Sequence, residues 1–210
     1  MFTIGYIDED PLQVKKYKRK LEDSFNFVQY DIPKGISKED LIEQVYHSDI
    51  DLLLVDYLMT DKGFLTFNGD EIVRDYEKIR PRFPIIIFTN RSDDAFPKVD
   101  NPNIIYNKDL LLKNKDYFIE VLKKNIAVYK DYINERKMII NELIEKREQT
   151  ELTADEKHVL VQNELELKNL DKKSVEVPYQ LLNEEKIEHL VETVKKAEKF
   201  LESLLNQKKK

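Results

Sequence analysis

Six residues stand where short apolar runs give way to polar side chains. Asp8, Glu9 and Asp10 follow residues 2–7, Asp56 follows 52–55, Thr89 follows 85–88, and Lys108 lies just beyond 104–106. Acids, a hydroxyl and a lysine together make a set suited to chemistry on phosphorus. Carboxylates that converge without a partner raise one another's pKa and resist ionisation. A hard divalent cation relieves that repulsion. Magnesium prefers oxygen ligands, keeps several waters and uses few protein carboxylates alongside a phosphate. Asp56 can then attack phosphorus and carry an acyl phosphate. Lys108 and Thr89 would bond the new phosphoryl oxygens and, with the cation, offset their charge.

These residues need elements to bring them together. The apolar runs at 2–7, 27–32, 52–55, 85–88 and 104–106 alternate with amphipathic stretches at 12–25, 38–46 and 70–79. Continuous apolar strands of this kind are buried on both faces, as in a parallel sheet. Their alternation with helices predicts right-handed crossovers and an α/β doubly wound sheet. In such sheets the polar residues at the carboxyl ends of the strands line the ligand crevice. Asp10 is expected to cap the first helix before Pro11. All four glycines lie in the first third, and six of the seven prolines precede Asn103. The first half is therefore turn-rich, and the second is a nearly unbroken helix-former.

In order and spacing these residues resemble the receiver domain of two-component response regulators over residues 1–122. The resemblance implies a flavodoxin-like, five-stranded parallel sheet. It implies that Asp8 and Glu9 bind magnesium with Asp56, that Asp56 is the phosphoacceptor, and that Leu58 offers its backbone carbonyl to the metal. It further implies that Thr89 is the switch hydroxyl and Lys108 the site lysine. A histidine kinase or a phosphotransfer protein would be the donor. Three departures stand out. The glycine that leads into the third helix falls at Gly69, which makes the loop after Asp56 about five residues longer than the family's, at 61–67. Asp109 follows Lys108 where the family has a cis-proline. Ile105 occupies the switch-aromatic position, with Tyr106 beside it on the other strand face. Pro97 and Pro102 predict a stunted fourth helix.

Two other readings use the same residues. The order Asp8, Asp10, Thr89, Lys108 also resembles haloacid-dehalogenase-type phosphatases, with Asp8 as nucleophile and Asp10 as acid. That reading leaves Asp56 without a role, places Pro11 and Leu12 where small residues belong, and lacks a later strand ending in an acid pair. The second alternative is a phosphorylation-independent scaffold that keeps a vestigial receiver.

Residues 123–210 read as an all-α coiled-coil or helical-hairpin region. From about Lys115 to Glu148, Ile119, Ile126, Ile133 and Ile140 recur every seven residues, with Leu122, Tyr129, Arg136 and Leu143 three further on. This is a heptad seam. Arg136 either weakens it or fixes its register through an acidic partner. Thr153 and Glu156 form a capping box that starts a helix running to about Leu170. A second seam runs through Ile187, Leu190, Val194, Ala197, Leu201 and Leu204. The seams can close within one chain or across a homodimer, and the expectation is a hairpin that also dimerises. His158 and His189 are single histidines without a small-residue notch beside them, so a phosphotransfer role is not expected.

The bulk numbers fit this picture. The formal charge is -6, and residues 126–210 hold 16 basic against 18 acidic side chains, which argues against nucleic-acid binding by bulk attraction. The absence of cysteine excludes disulfides and thiolate metal sites. No apolar run approaches membrane-spanning length. The expected setting is cytoplasmic, and the expected output is association with a further protein rather than catalysis.

Overall fold

The structure is a computed structural model that describes residues 1–170. The chain divides into units Met1–Lys172 and Lys173–Lys210. The second heptad seam and His189 lie outside the described residues. Five strands form the sheet: β1 (Thr3–Ile7), β2 (Asn26–Gln29), β3 (Leu52–Val55), β4 (Ile85–Thr89) and β5 (Ile105–Asn107). All neighbouring pairs are parallel, in the order β2-β1-β3-β4-β5. This is the flavodoxin-like strand order, whose crevice opens where the order reverses between β1 and β3.

Alternation along the strands divides the core into two layers. On one face Ile4, Tyr6, Leu52, Leu54, Ile86 and Phe88 pack under α1 (Pro11–Leu21) and the start of α6 (Lys115–Gln149). On the other face Ile7, Leu53, Val55, Ile85 and Ile87 pack under α2 (Lys38–His47) and α3 (Gly69–Ile79). Local chemistry sets the helix starts. Asp10 accepts a hydrogen bond from the Leu12 N–H at 3.0 Å, and Pro11 opens α1. Ser37 accepts from Asp40 N–H, and Glu71 accepts from Asn68 N–H at the head of α3. Each cap satisfies a donor the helix itself cannot.

The fourth helix is indeed short, with α4 spanning Ser92–Ala95. Two local expectations change. β2 ends at Gln29 rather than near residue 32, because Tyr30 turns inward to the Ser48 hydroxyl. After Lys108 the chain forms a brief helix, α5 (Lys108–Lys113), where Asn107 accepts from Asp109 N–H. That cap replaces the turn a cis-proline would build. The structure has no cis peptide bond among the described residues.

Helix α6 has 35 residues, so it reaches about 52 Å. Its first turns seat Phe118, Leu122 and Ile126 against the sheet, with Phe118 stacked on Phe88 at 5.0 Å. The expected division at 122/123 thus falls inside one unbroken helix. The capping box forms as expected: Thr153 N–H donates to Glu156, and Glu156 N–H donates to the Thr153 hydroxyl. It opens α7 (Ala154–Leu170), which pairs antiparallel with α6. Lys146 meets Glu156, Arg136 meets Glu166 at 3.1 Å, and Tyr129 donates to the Leu170 carbonyl. Arg136 therefore has its acidic partner within the chain, its guanidinium lying 3.6 Å from the Tyr132 ring centre. Among the described residues no helix is long and apolar enough to cross a membrane.

Candidate phosphoacceptor site

The strand register gathers the expected residues. Ile7 pairs with Val55, so Asp8 and Asp56 leave adjacent strands at the same level. Thr89 pairs with Asn107, which sets Lys108 next to the end of β4. Asp8, Glu9, Asp56, Leu58, Thr89 and Lys108 all line one cleft of about 180 Å³ at the carboxyl end of the sheet. A larger cleft of about 600 Å³ involves Phe83, Pro84 and Tyr132 near the start of β4 and lacks this acid–lysine set.

Lys108 is the hub. Its ammonium lies 2.8 Å from Asp8 Oδ2 and 2.9 Å from Asp56 Oδ1, and the side chain is 95% buried. The rings of Tyr6 and Tyr17 flank the ammonium at 5.8 and 5.7 Å. Burial works against the lysine's charge, but Asp56 and Asp8 outweigh it and hold the ammonium above its ordinary range. Asp8 is fully engaged: Oδ2 also accepts from the Tyr6 hydroxyl at 2.5 Å, and Oδ1 accepts from Asp10 N–H at 2.9 Å. For Asp56, burial raises the carboxyl most, Asp8 adds to the rise, and Lys108 and the Thr89 hydroxyl pull it down; the net direction is up. Thr89 is buried, and its Oγ1 accepts from Arg91 N–H at 3.1 Å.

Glu9 is the least satisfied group. Burial first, then Asp8 and Asp56, push its carboxyl up to about 7. Its Oε2 is buried with no hydrogen-bond donor, as is Gln13 Oε1 on the same cleft wall. One carboxylate oxygen from each of Asp8, Glu9 and Asp56 lies within 4.8 Å of the others. Two orphaned acceptors beside three crowded carboxylates form an oxygen-rich donor set that fits a hard divalent cation such as magnesium. Leu58 borders the same cleft.

This crowding has a pH consequence. The folded state holds the Glu9 proton up to about 7, against 4.5 for the free side chain. Between those values the folded chain binds more protons than the unfolded chain, so metal-free stability falls as pH rises through the window. Asp56 acts in the same direction. Thermal melts in chelator should therefore drop from about pH 5 to about pH 7.5. Glu9→Gln should flatten part of that slope, and added magnesium should reverse it. A slope identical in Glu9→Gln would show that Glu9 is not the source.

Two contacts had no counterpart in the sequence reading. Tyr6 sits in an apolar strand, and nothing local marks its bond to Asp8. Gly69 was read as a helix start, yet it also lies against Asp56: a Cβ there would stand 2.1 Å from the Asp56 carbonyl oxygen. Lys62 and Arg91 reach the cleft from separate loops. Asp10 caps α1 and pairs with Lys62, while Lys108 is shared between Asp8 and Asp56. His158 is exposed on α7.

No protein-family model and no curated protein matches the sequence. Solved structures do resemble it. A response regulator receiver protein from Sinorhizobium medicae is 18% identical, covers 60% of this chain and 94% of its own, and superposes with a TM-score of 0.47. The response regulator TrrA from Thermotoga maritima, solved in complex with Mg(2+)-BeF, is 22% identical over 60% of this chain and 99% of its own, with a TM-score of 0.44. A chain fusing a trimeric coiled-coil segment of yeast Spc42 to another protein is 12% identical over 70% of this chain and 89% of its own, with a TM-score of 0.51. At such identities the likeness concerns fold. The N-terminal part of this chain has a five-stranded parallel sheet in the flavodoxin-like order, and its C-terminal region stays unassigned.

Proposed function

We propose that this chain is a response regulator that accepts a phosphoryl group on Asp56 from a histidine kinase or a phosphotransfer protein. The observation that carries this reading is the Lys108 ammonium held between Asp8 and Asp56 beside an orphaned Glu9 carboxylate. An Asp56 oxygen attacks the phosphorus of a phosphohistidine, and the phosphorus–nitrogen bond breaks. The imidazole leaves with the electron pair and takes up a proton. Lys108 turns part of its charge toward the new phosphoryl oxygens, and the Thr89 hydroxyl donates to one of them. Asp8, Glu9, Asp56 and the Leu58 carbonyl would hold magnesium, which when bound neutralises charge on the transferring group.

The chain's role in this reading is signalling rather than turnover. If Thr89 turns to the phosphoryl group, its bond to Arg91 N–H at the head of α4 changes. Tyr106, at 6.1 Å from Phe118, offers a second route from β5 to α6. A bias of about 1–3 kcal/mol between two packings is enough for a graded response. The output is association of the C-terminal helices with a downstream protein, and homodimerisation is one form of it. Because α7 already covers the α6 seam within the chain, association would use the outward Met138, Val161 and Leu165.

Incubation with a small acyl-phosphate donor and magnesium should add one phosphoryl group per chain, counted by intact-mass spectrometry. The same incubation with excess chelator should add none. Incorporation that ignores the chelator would point away from the acid cluster.

A further inference from the structure

The loop between β3 and α3 is pinned at its base and held at its tip only by solvated ion pairs. Leu65 and Phe67 are buried, the Phe64 carbonyl accepts from Gly35 N–H, and Asn68 Oδ1 accepts from Met59 N–H and the Thr60 hydroxyl. Between these anchors, Gly63 adopts φ +64°, the left-handed conformation glycine accepts readily, and reverses the chain. Asp61 and Lys62 are thereby delivered to the mouth of the cleft that holds Asp56. Lys62 Nζ lies 3.4 Å from Asp10, and Asp61 lies 3.5 Å from the Arg91 guanidinium, which also contacts Asp94 at 3.5 Å. Both residues are electrically close to the site: Lys62 lowers the Glu9 carboxyl and Asp61 raises it.

These mouth pairs are long and partly solvated. Lys62 is 41% exposed and Arg91 55%. Such pairs are held weakly. A phosphoryl group brings close to two negative charges and three acceptor oxygens into the same cleft. Charge-assisted bonds to it are stronger than those to a solvated carboxylate.

We propose that Lys62 and Arg91 are outer ligands of the phosphoryl group on Asp56, exchanging Asp10 and Asp61 for phosphoryl oxygens when the acyl phosphate forms. This rests on the Asp56 reading above. The exchange draws the loop tip over the cleft and slows hydrolysis. In that reaction a water oxygen bonds to phosphorus, the bond from phosphorus to the Asp56 oxygen breaks, and inorganic phosphate and a proton are released. Asp61 competes for Arg91 in the resting state, so it opposes closure.

The test loads the full chain with acetyl phosphate and magnesium, removes the donor, and follows the phosphoryl group by intact-mass spectrometry. Lys62→Gln and Arg91→Gln should each shorten its half-life by about three- to tenfold. Asp61→Asn should lengthen it. A loop that was merely loosened would shorten the half-life in all three variants, so shortening in Asp61→Asn overturns the proposal. Unchanged half-lives in both cation variants overturn it too and leave the Asp56 reading standing. A wild-type chain that takes up no phosphoryl group overturns both.

Discussion

Asp56→Asn should take up no measurable phosphoryl group, with labelling at least ~100-fold below the wild-type chain. The amide keeps the shape of the carboxylate but is not a nucleophile toward phosphorus. The pocket should survive the change. Lys108 retains its 2.8 Å contact with Asp8, and Tyr6 still holds Asp8 Oδ2. Removing one of three crowded acids also relieves Glu9, since Asp56 is one cause of its raised carboxyl. The variant should therefore melt no lower than wild type in chelator, and its pH slope should be shallower. Lost labelling with intact stability separates a chemical defect from a folding defect. Labelling at the wild-type level would place the acceptor elsewhere.

Gly69→Ala should be the most damaging single methyl group in this part of the chain. The added carbon would meet the Asp56 carbonyl oxygen at 2.1 Å, the Asp56 carbonyl carbon at 3.0 Å and Val55 Cγ1 at 2.9 Å. Two of these atoms belong to the backbone, so no side-chain rotation relieves the contact. Nor can Gly69 easily withdraw, because its N–H is bonded to the Tyr57 carbonyl at 2.8 Å. Overpacking of this kind costs about 3 kcal/mol. For a unit of this size that corresponds to a fall in Tm of roughly 6–12 °C. Because relief requires moving the Asp56 backbone, phosphorylation should also slow at temperatures where the variant is folded. A Tm within about 1 °C of wild type would mean that the approach of α3 to β3 is looser than the structure has it.

The core of this site was legible because parallel sheets concentrate their polar chemistry where apolar runs end. Asp8, Asp56 and Thr89 each mark such an end, and the sheet order does the rest. Helix starts were legible for a similar reason, since Asp10 with Pro11 and Thr153 with Glu156 act over three residues or fewer. Contacts between distant segments left no local trace. Lys62 and Arg91 look like ordinary loop charges until the fold sets both at one cleft mouth. Tyr6 looks like core until its hydroxyl meets Asp8. The α6 seam shows why association is harder to read than folding. Ile133 and Ile140 carry the same spacing whether their partner is α7 or a second chain, and it takes pairings such as Arg136 with Glu166 and Lys146 with Glu156 to mark α7 as a partner.

The most direct test is to find which residue carries the phosphoryl group. The full chain is loaded with acetyl phosphate and magnesium, digested, and sequenced by tandem mass spectrometry. A single modification on the peptide containing Asp56, at that side chain, is the predicted result. A phosphoryl group on Asp8, or on a histidine such as His158, would contradict it.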